Sequence, residues 1–307
     1  MQGRRINDWL VYLGVRVFIC IVQSLSLSRC KRLATWFAWL VHDVVRLRRH
    51  VIEDNLRQSF PAKPSRWRHG IASSMWKHLF IMACEVAHAP RKIHRTNWRR
   101  YFRMHNNRQM MELFLDPRPT IVVSGHFGNF EMAGFVAGLL GFPSYTIIRP
   151  LDNHYLNKFV NRFRAMHGQF ILEKRGSSVQ AESVLQRGGM VALLGDQHAG
   201  PRGCWVDFLG RPASCHKALA LFSLTSRAPL LVCYARRRAD PLQFEVGLVA
   251  AVDPAIDLEQ CQSVRSLTIW YNAMLEKVVR RDPQQYWWVH RRWKGEPPAR
   301  YIRAKAG

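Results

Sequence analysis

The stretch Thr120–Gly134, TIVVSGHFGNFEMAG, constrains the fold more than any other part of the chain. Ile121-Val122-Val123 is an unbroken apolar run with the composition of a buried strand. Ser124-Gly125 ends it and His126 follows; Met132, Phe135, Val136 and Leu139 then recur at helical spacing. The pattern predicts a strand, a glycine turn and a helix, with His126 in the turn and Glu131 in the first helical turn. Positions five apart on one helix are rotated by about 140°, so His126 meets Glu131 only if the chain bends between them. Gly125 and Gly128 permit such a bend. A helix N-terminus favours an ionised Glu131 and a neutral imidazole. On this reading Glu131 orients the ring and stabilises the imidazolium formed when His126 acts as a base. By itself such a pair is more often a structural contact than a catalytic one, so the rest of the chain has to decide.

At 307 residues with 48% apolar content, the chain can bury a large core in one domain or two. The net charge of +25 calls for an anionic partner: nucleic acid, anionic membrane, or an acidic protein or substrate. Eleven tryptophans among the basic residues suit a membrane interface. The seven cysteines are odd in number, scattered and without a CxxC, which argues against a disulfide framework or a zinc site. HExxH, P-loop, GxSxG and Gly-x-Gly-x-x-Gly signatures are absent. No metal and no cofactor is expected.

Trp9–Leu27 is largely apolar, interrupted by Arg16 and Gln23 and flanked by Arg4, Arg5, Arg29, Lys31 and Arg32. It reads as a membrane anchor lying in the plane or spanning, with a buried helix as the remaining option. Trp36, Phe37 and Trp39 continue it, and Arg46, Arg48, Arg49 and His50 add a basic cluster suited to anionic lipid. Pro61 and Pro64 mark a loop, and 65–90 read as a helix with Ile71, Met75, Leu79 and Met82 in a stripe. Residues 91–119 are basic.

From Thr120 strands and helices alternate, which argues for an α/β sheet. Strands are expected at Tyr145–Ile148, Met190–Leu194, Leu230–Ala235 and Gln243–Val252. Helices are expected after Pro150 and at Val179–Arg187, His216–Arg227 and Glu259–Arg281. The expected organisation is an N-terminal membrane-anchoring segment, 1–60, ahead of one α/β domain, 61–307. Three strands end in polar residues: His126, Arg149 and Asp196-Gln197. Ligands bind at the carboxyl ends of strands in open α/β sheets, so these residues form a site hypothesis.

SGHFGNFE resembles the histidine-x4-acidic motif of the glycerolipid acyltransferases, and the wider pattern resembles the late acyltransferases of lipid A biosynthesis, the lauroyl/myristoyl type of that superfamily. The likeness rests on Asn55-Leu56, SGHFGNFE, RPLDN at Arg149–Asn153, GDQH at Gly195–His198, VDFLGRPA at Val206–Ala213 and PQQYWWVHRRWK at Pro283–Lys294. The resemblance implies a mixed central sheet flanked by helices. It implies acyl transfer from acyl carrier protein, or coenzyme A, to a hydroxyl of an anionic glucosamine-based lipid. The place is the cytoplasmic face of the inner membrane, and the enzyme is a monomer that binds no nucleic acid. It makes His126 and Glu131 catalytic, and Arg149, Asp196, Gln197 and Asn129 substrate-binding. Another membrane lipid, such as a phospholipid, an ornithine lipid or a mannolipid, is the alternative acceptor. Cys215 stands where a hydroxyl residue is common in this family, and Lys217-Ala218 where a glycine is common.

Overall fold

The computed structural model describes residues 2–148, 150–173, 176–299 and 301. Four helices come first: α1 (Gln2–Ser24), α2 (Leu27–Trp39), α3 (Arg49–Ser59) and α4 (Ser65–Lys92). Next are β1 (Phe102–His105), α5 (Asn107–Leu115), β2 (Thr120–Ser124), α6 (Phe130–Leu139), β3 (Ser144–Ile148) and α7 (His154–Ala165). These are followed by β4 (Gln169–Glu173), α8 (Ser177–Gln186), β5 (Met190–Leu194), β6 (Cys204–Phe208) and β7 (Arg211–Cys215). The chain continues through α9 (Ala218–Ser226), β8 (Leu230–Arg237), β9 (Phe244–Val252) and α10 (Val264–Arg281).

Seven strands form one sheet in the order β1-β9-β8-β2-β5-β3-β4. β8, β2, β5, β3 and β4 run parallel. β9 is antiparallel to β8, and β1 runs with β9, so the sheet is mixed, as expected. Side chains alternate across it. Ile121 and Val123 face the main core with Leu185 of α8, Leu219 of α9 and Leu267 of α10. Val122 faces the other way, against Met110 of α5, while Met132, Phe135 and Val136 bring α6 onto that second face. Helices therefore cover both faces, and the carboxyl ends of β2 and β5 meet between them.

The N-terminal helices are distributed unequally between protein and surroundings. α1 touches α7 through Tyr12, whose ring lies 6.1 Å from Tyr155, and through Arg16, whose guanidinium sits 5.0 Å above the Phe159 ring. Asn153 also donates to the Asp8 carbonyl at 2.8 Å. Arg16 thus lies on the α7 side, with its Nη1 donating to Tyr12 Oη at 3.0 Å. Leu10, Leu13, Val17, Phe18 and Ile21 are exposed, as are Leu33, Trp36 and Trp39 of α2. The segment Arg5–Ser24 is a helix long and apolar enough to cross a membrane.

Three parts of the sheet were not expected. β4 and β1 are short strands in stretches rich in charge, and β6 and β7 form a separate antiparallel hairpin. The hairpin turn is Leu209-Gly210, both at positive φ (51° and 80°), the backbone of a tight two-residue connection. Cys30, Cys215 and Cys233 are buried thiols, and Cys20 is exposed.

Candidate active site

The turn after β2 is built by two close approaches. At Gly125 an added Cβ would lie 3.1 Å from Asp196 Oδ2. At Gly128, with φ +61°, it would lie 2.0 Å from the Ala235 carbonyl oxygen. Gly128 has to be glycine, and at Gly125 a side chain would press on the Asp196 carboxylate. The turn is also tied from outside: Gly128 N–H donates to the Gln285 carbonyl (2.9 Å) and Trp287 N–H to that of His126 (3.1 Å).

His126 is held by the end of β5. Its backbone N–H donates to Asp196 Oδ2 at 2.7 Å, and its Nδ1 lies 2.8 Å from Asp196 Oδ1. An ionised carboxylate only accepts, so Nδ1 carries the proton and Nε2 keeps a lone pair. Nε2 in turn accepts from Gln197 Nε2 at 3.0 Å. Asp196 is 2% exposed. Burial pushes its pKa up, but the His126 ring, its hydrogen bonds and the charge of Arg292 outweigh burial and hold it below the usual carboxylate range. Gly195 N–H donates to the Ser124 carbonyl at 2.8 Å, fixing the two strand ends together.

The partner of the ring is therefore Asp196 and not Glu131. Glu131 does sit in the first turn of α6, but its carboxylate pairs with Arg164 of α7, whose Nε donates to Oε2 at 3.0 Å and whose Nη2 binds Oε1. The bend between residues 126 and 131 exists, yet it turns the imidazole toward β5 and the carboxylate toward α7. Asn129 is fully buried and its amide donates to Glu85 Oε2 at 2.9 Å. Arg149 lies outside the described residues. His126, Asp196 and Gln197 are the expected residues that come together.

Beneath the turn lies a buried ionic network that the sequence did not disclose. Arg237 Nε and Nη2 donate to the two oxygens of Glu85 at 2.6 Å each, and Nη1 donates to His78 Nδ1 at 2.7 Å. His78 must then carry its proton on Nε2, which donates to the Gly128 carbonyl at 3.0 Å. Burial and the neighbouring Arg237 charge hold His78 well below its ordinary pKa, so it is neutral. One signal was legible: Glu85 is a lone acid on the face of α4 that also carries Met75 and Met82.

The C-terminal motif packs around the same turn. Tyr286, Trp288 and Arg292 are buried, while Arg291 and Lys294 are exposed. The Trp287 and Phe130 rings lie 5.0 and 5.1 Å from the His126 ring. Arg292 donates to the Ser214 carbonyl and to Cys215 Sγ, both at 2.7 Å, which gives the buried thiol a cationic partner. His290 lies between the His198 backbone, whose N–H donates to its Nε2 at 3.4 Å, and the charges of the site. Burial first, and then the positive groups around it, bring its pKa down to about 4 against the opposing pull of Asp196.

An apolar cavity with about 990 Å³ of empty space opens beside this turn, on the α5/α6 face of the sheet. Ser124, Phe130, Glu131 and Arg164 line it near the histidine, and Ala137, Ala192 and Met190 line it further along. Nearly all the lining side chains are apolar.

A histidine whose proton direction is fixed by a buried aspartate thus stands next to an apolar cavity. Residues 2–295 match the family described as bacterial lipid A biosynthesis acyltransferase, and the chain belongs to that family. It is an acyltransferase, with an acyl donor and an acceptor. It is 24% identical over 303 residues to the lipid A biosynthesis lauroyltransferase of Escherichia coli strain K12, covering 95% of each chain. It is 23% identical to the palmitoleoyltransferase of the same organism, covering 94% of this chain and 92% of that one. A Haemophilus influenzae lipid A biosynthesis acyltransferase is 22% identical, covering 94% and 91%.

Proposed function

We propose that this enzyme moves a fatty acyl chain from a thioester donor, acyl carrier protein or coenzyme A, to a hydroxyl of a glucosamine-based lipid A precursor. The observation that carries the mechanism is the Asp196–His126–Gln197 chain of hydrogen bonds, which directs the Nε2 lone pair at the Gln197 amide, and the acceptor hydroxyl takes that amide's place on Nε2. His126 Nε2 removes the proton of the acceptor hydroxyl, while Asp196 keeps the ring in the required tautomer and stabilises the imidazolium. The hydroxyl oxygen attacks the thioester carbonyl. As the tetrahedral intermediate collapses, the C–S bond breaks and the thiolate takes the proton back from the imidazolium. No acyl-enzyme is formed.

Gln197 lies 3.0 Å from the reacting nitrogen, and its amide is in place to hydrogen-bond the incoming oxygen. Glu131 acts through Arg164, fixing a guanidinium at the cavity mouth where negative charge develops on the thioester oxygen. The motif assigns Arg149 to the acceptor phosphate or to the same oxyanion. The acyl chain occupies the apolar cavity, where each buried methylene contributes about 0.8 kcal/mol.

The exposed apolar side chains of α1 and α2 set the enzyme on the membrane, and the basic residues around them favour the inner, anionic cytoplasmic surface. The domain from residue 61 onward carries the chemistry, and 1–60 the membrane contact. The test is lipid mass spectrometry of a deletion strain complemented with wild type or with His126→Ala. Wild type restores one acyl chain to the lipopolysaccharide anchor. The variant, with turnover lowered by about 10²–10⁴-fold, leaves that chain missing. A lipid A unchanged by the deletion would exclude this acceptor.

A further inference from the structure

A second cluster lies away from the active site, where α2 meets α4. α2 runs directly into a π turn, Leu40–Val44, a wider winding often found at functional positions. Within it, adjacent residues His42 and Asp43 both reach His69, in the second turn of α4. His42 Nε2 lies 3.3 Å from His69 Nδ1, and Asp43 Oδ1 lies 3.4 Å from His69 Nε2 and 3.9 Å from His42 Nε2. One ligand atom from each of the three lies within 4.8 Å of the others.

We propose that His42, Asp43 and His69 form a binding site for a divalent transition cation, with Zn²⁺ the best match. Zinc–imidazole bonds are 2.0–2.1 Å long, so two nitrogens on one tetrahedron are about 3.3–3.4 Å apart. The separation from His42 Nε2 to His69 Nδ1 already has that value, so His69 ligates through Nδ1, and the Asp43 carboxylate, which here contacts His69 Nε2, turns to complete the set. His42 is 5% exposed, so its ring is held in place by the surrounding protein. Asp43 supplies the negative charge and an oxygen ligand. The fourth position faces a cavity lined by Ser65 and Glu53, which leaves room for a water molecule. Arg49 lines the same cavity and opposes a cation there, while Glu53 of that lining and Asp43 offset its charge.

The ligands come from the end of the membrane-facing α2 segment and from α4, which belongs to the body of the protein. A bound cation staples the two, separately from the acyl-transfer chemistry. Spacing motifs in the sequence do not reveal the site, because two ligands are adjacent and the third is on another helix.

The test uses the full chain purified in detergent micelles, stripped with a chelator and titrated with Zn²⁺ alone, then with Co²⁺. Wild type is expected to bind one equivalent whose Co²⁺ spectrum has the ligand-field bands of a four-coordinate site. Its Tm should rise by about 4 °C at a hundredfold excess of free Zn²⁺ over Kd. His69→Ala, at a half-exposed position, and the isosteric Asp43→Asn should each weaken binding at least about tenfold and abolish the Tm shift. His105→Ala, at an exposed histidine elsewhere, should change neither. Unaltered affinity and stoichiometry in His69→Ala would place any bound zinc elsewhere, on the free cysteines for example, and overturn the proposal. So would the absence of stoichiometric binding in wild type.

Discussion

At the scale of single residues, the contest is between two carboxylates for one imidazole. Asp196 is in contact with the ring and Glu131 is not, so their isosteric amides should differ. Asp196→Asn presents a group that both donates and accepts, and it no longer selects the Nδ1–H tautomer. In a triad of this logic that change costs up to about 10⁴-fold in turnover. Glu131→Gln keeps hydrogen-bonding capacity toward Arg164 and should cost at most about tenfold to a hundredfold. Steady-state turnover of the two variants decides between them; a larger loss in Glu131→Gln would return the ring-holding role to that residue. Glu85 supports a second prediction. It is fully buried and neutralises Arg237, which is itself 7% exposed. Glu85→Ala leaves that guanidinium buried without its counter-charge, at a cost of about 3–5 kcal/mol measured by urea unfolding. Much of this site could be read from the chain: His126, Asp196 and Gln197 were singled out as polar ends of strands, and they converge. Their pairing could not be read, because it depends on which way the turn faces. That direction is set by Gly125 against Asp196 and Gly128 against β8, contacts between distant parts of the sequence.

At the scale of elements, the helix that follows the histidine forms one wall of the cavity. α6 presents Ala133, Gly134 and Ala137 to it, small side chains that leave the space open. Ala137→Phe should fill part of that space. If the acyl chain lies there, kcat/KM should fall for long-chain donors and be nearly unchanged for short ones, as read from a donor series of increasing length. A uniform loss across the series would place the chain elsewhere. Elements with strong periodicity were predicted closely: β5 is Met190–Leu194 as expected, and α10 ends at Arg281 before Pro283. The β6–β7 hairpin was missed despite its recognisable VDFLGRPA. Its turn carries Leu209 at positive φ where a small or polar residue usually signals the bend, and Pro212, a residue that argues against a strand, lies within the second one. β1 and α5 were hidden by the charge of their surroundings, since a four-residue strand holds too few positions for alternation to emerge.

At the scale of the whole molecule, the pattern of shifted groups predicts how stability depends on pH. His78, His88, His198 and His290 are all lowered from 6.5, burial being the largest cause in each. Each therefore stays neutral in the folded protein at pH values where it is protonated in the unfolded chain. The unfolded state binds more protons below about pH 6.5, so stability is full above that pH and falls as pH drops toward the folded values. His290 sets the lower end of this window at about 4. For a deeply buried group such as His78 the slope approaches about 1.4 kcal/mol per pH unit. Below this a second loss begins. The hydrogen bonds from Arg236 hold Glu245 at about 2, from 4.5, and their stabilising contribution disappears as that carboxylate is protonated. On the alkaline side the thiols of Cys84 and Cys233 are raised from 9.0 to about 12, first by burial. They remain neutral while the unfolded chain ionises, so stability falls again above pH 9. Urea unfolding across the pH range should give a plateau between about 6.5 and 9, and His290→Asn should make the decline between 6.5 and 4 shallower. A midpoint that stayed constant from pH 7 to 5 would mean that these imidazoles are protonated in the folded state, and that His78 Nδ1 then no longer accepts from Arg237.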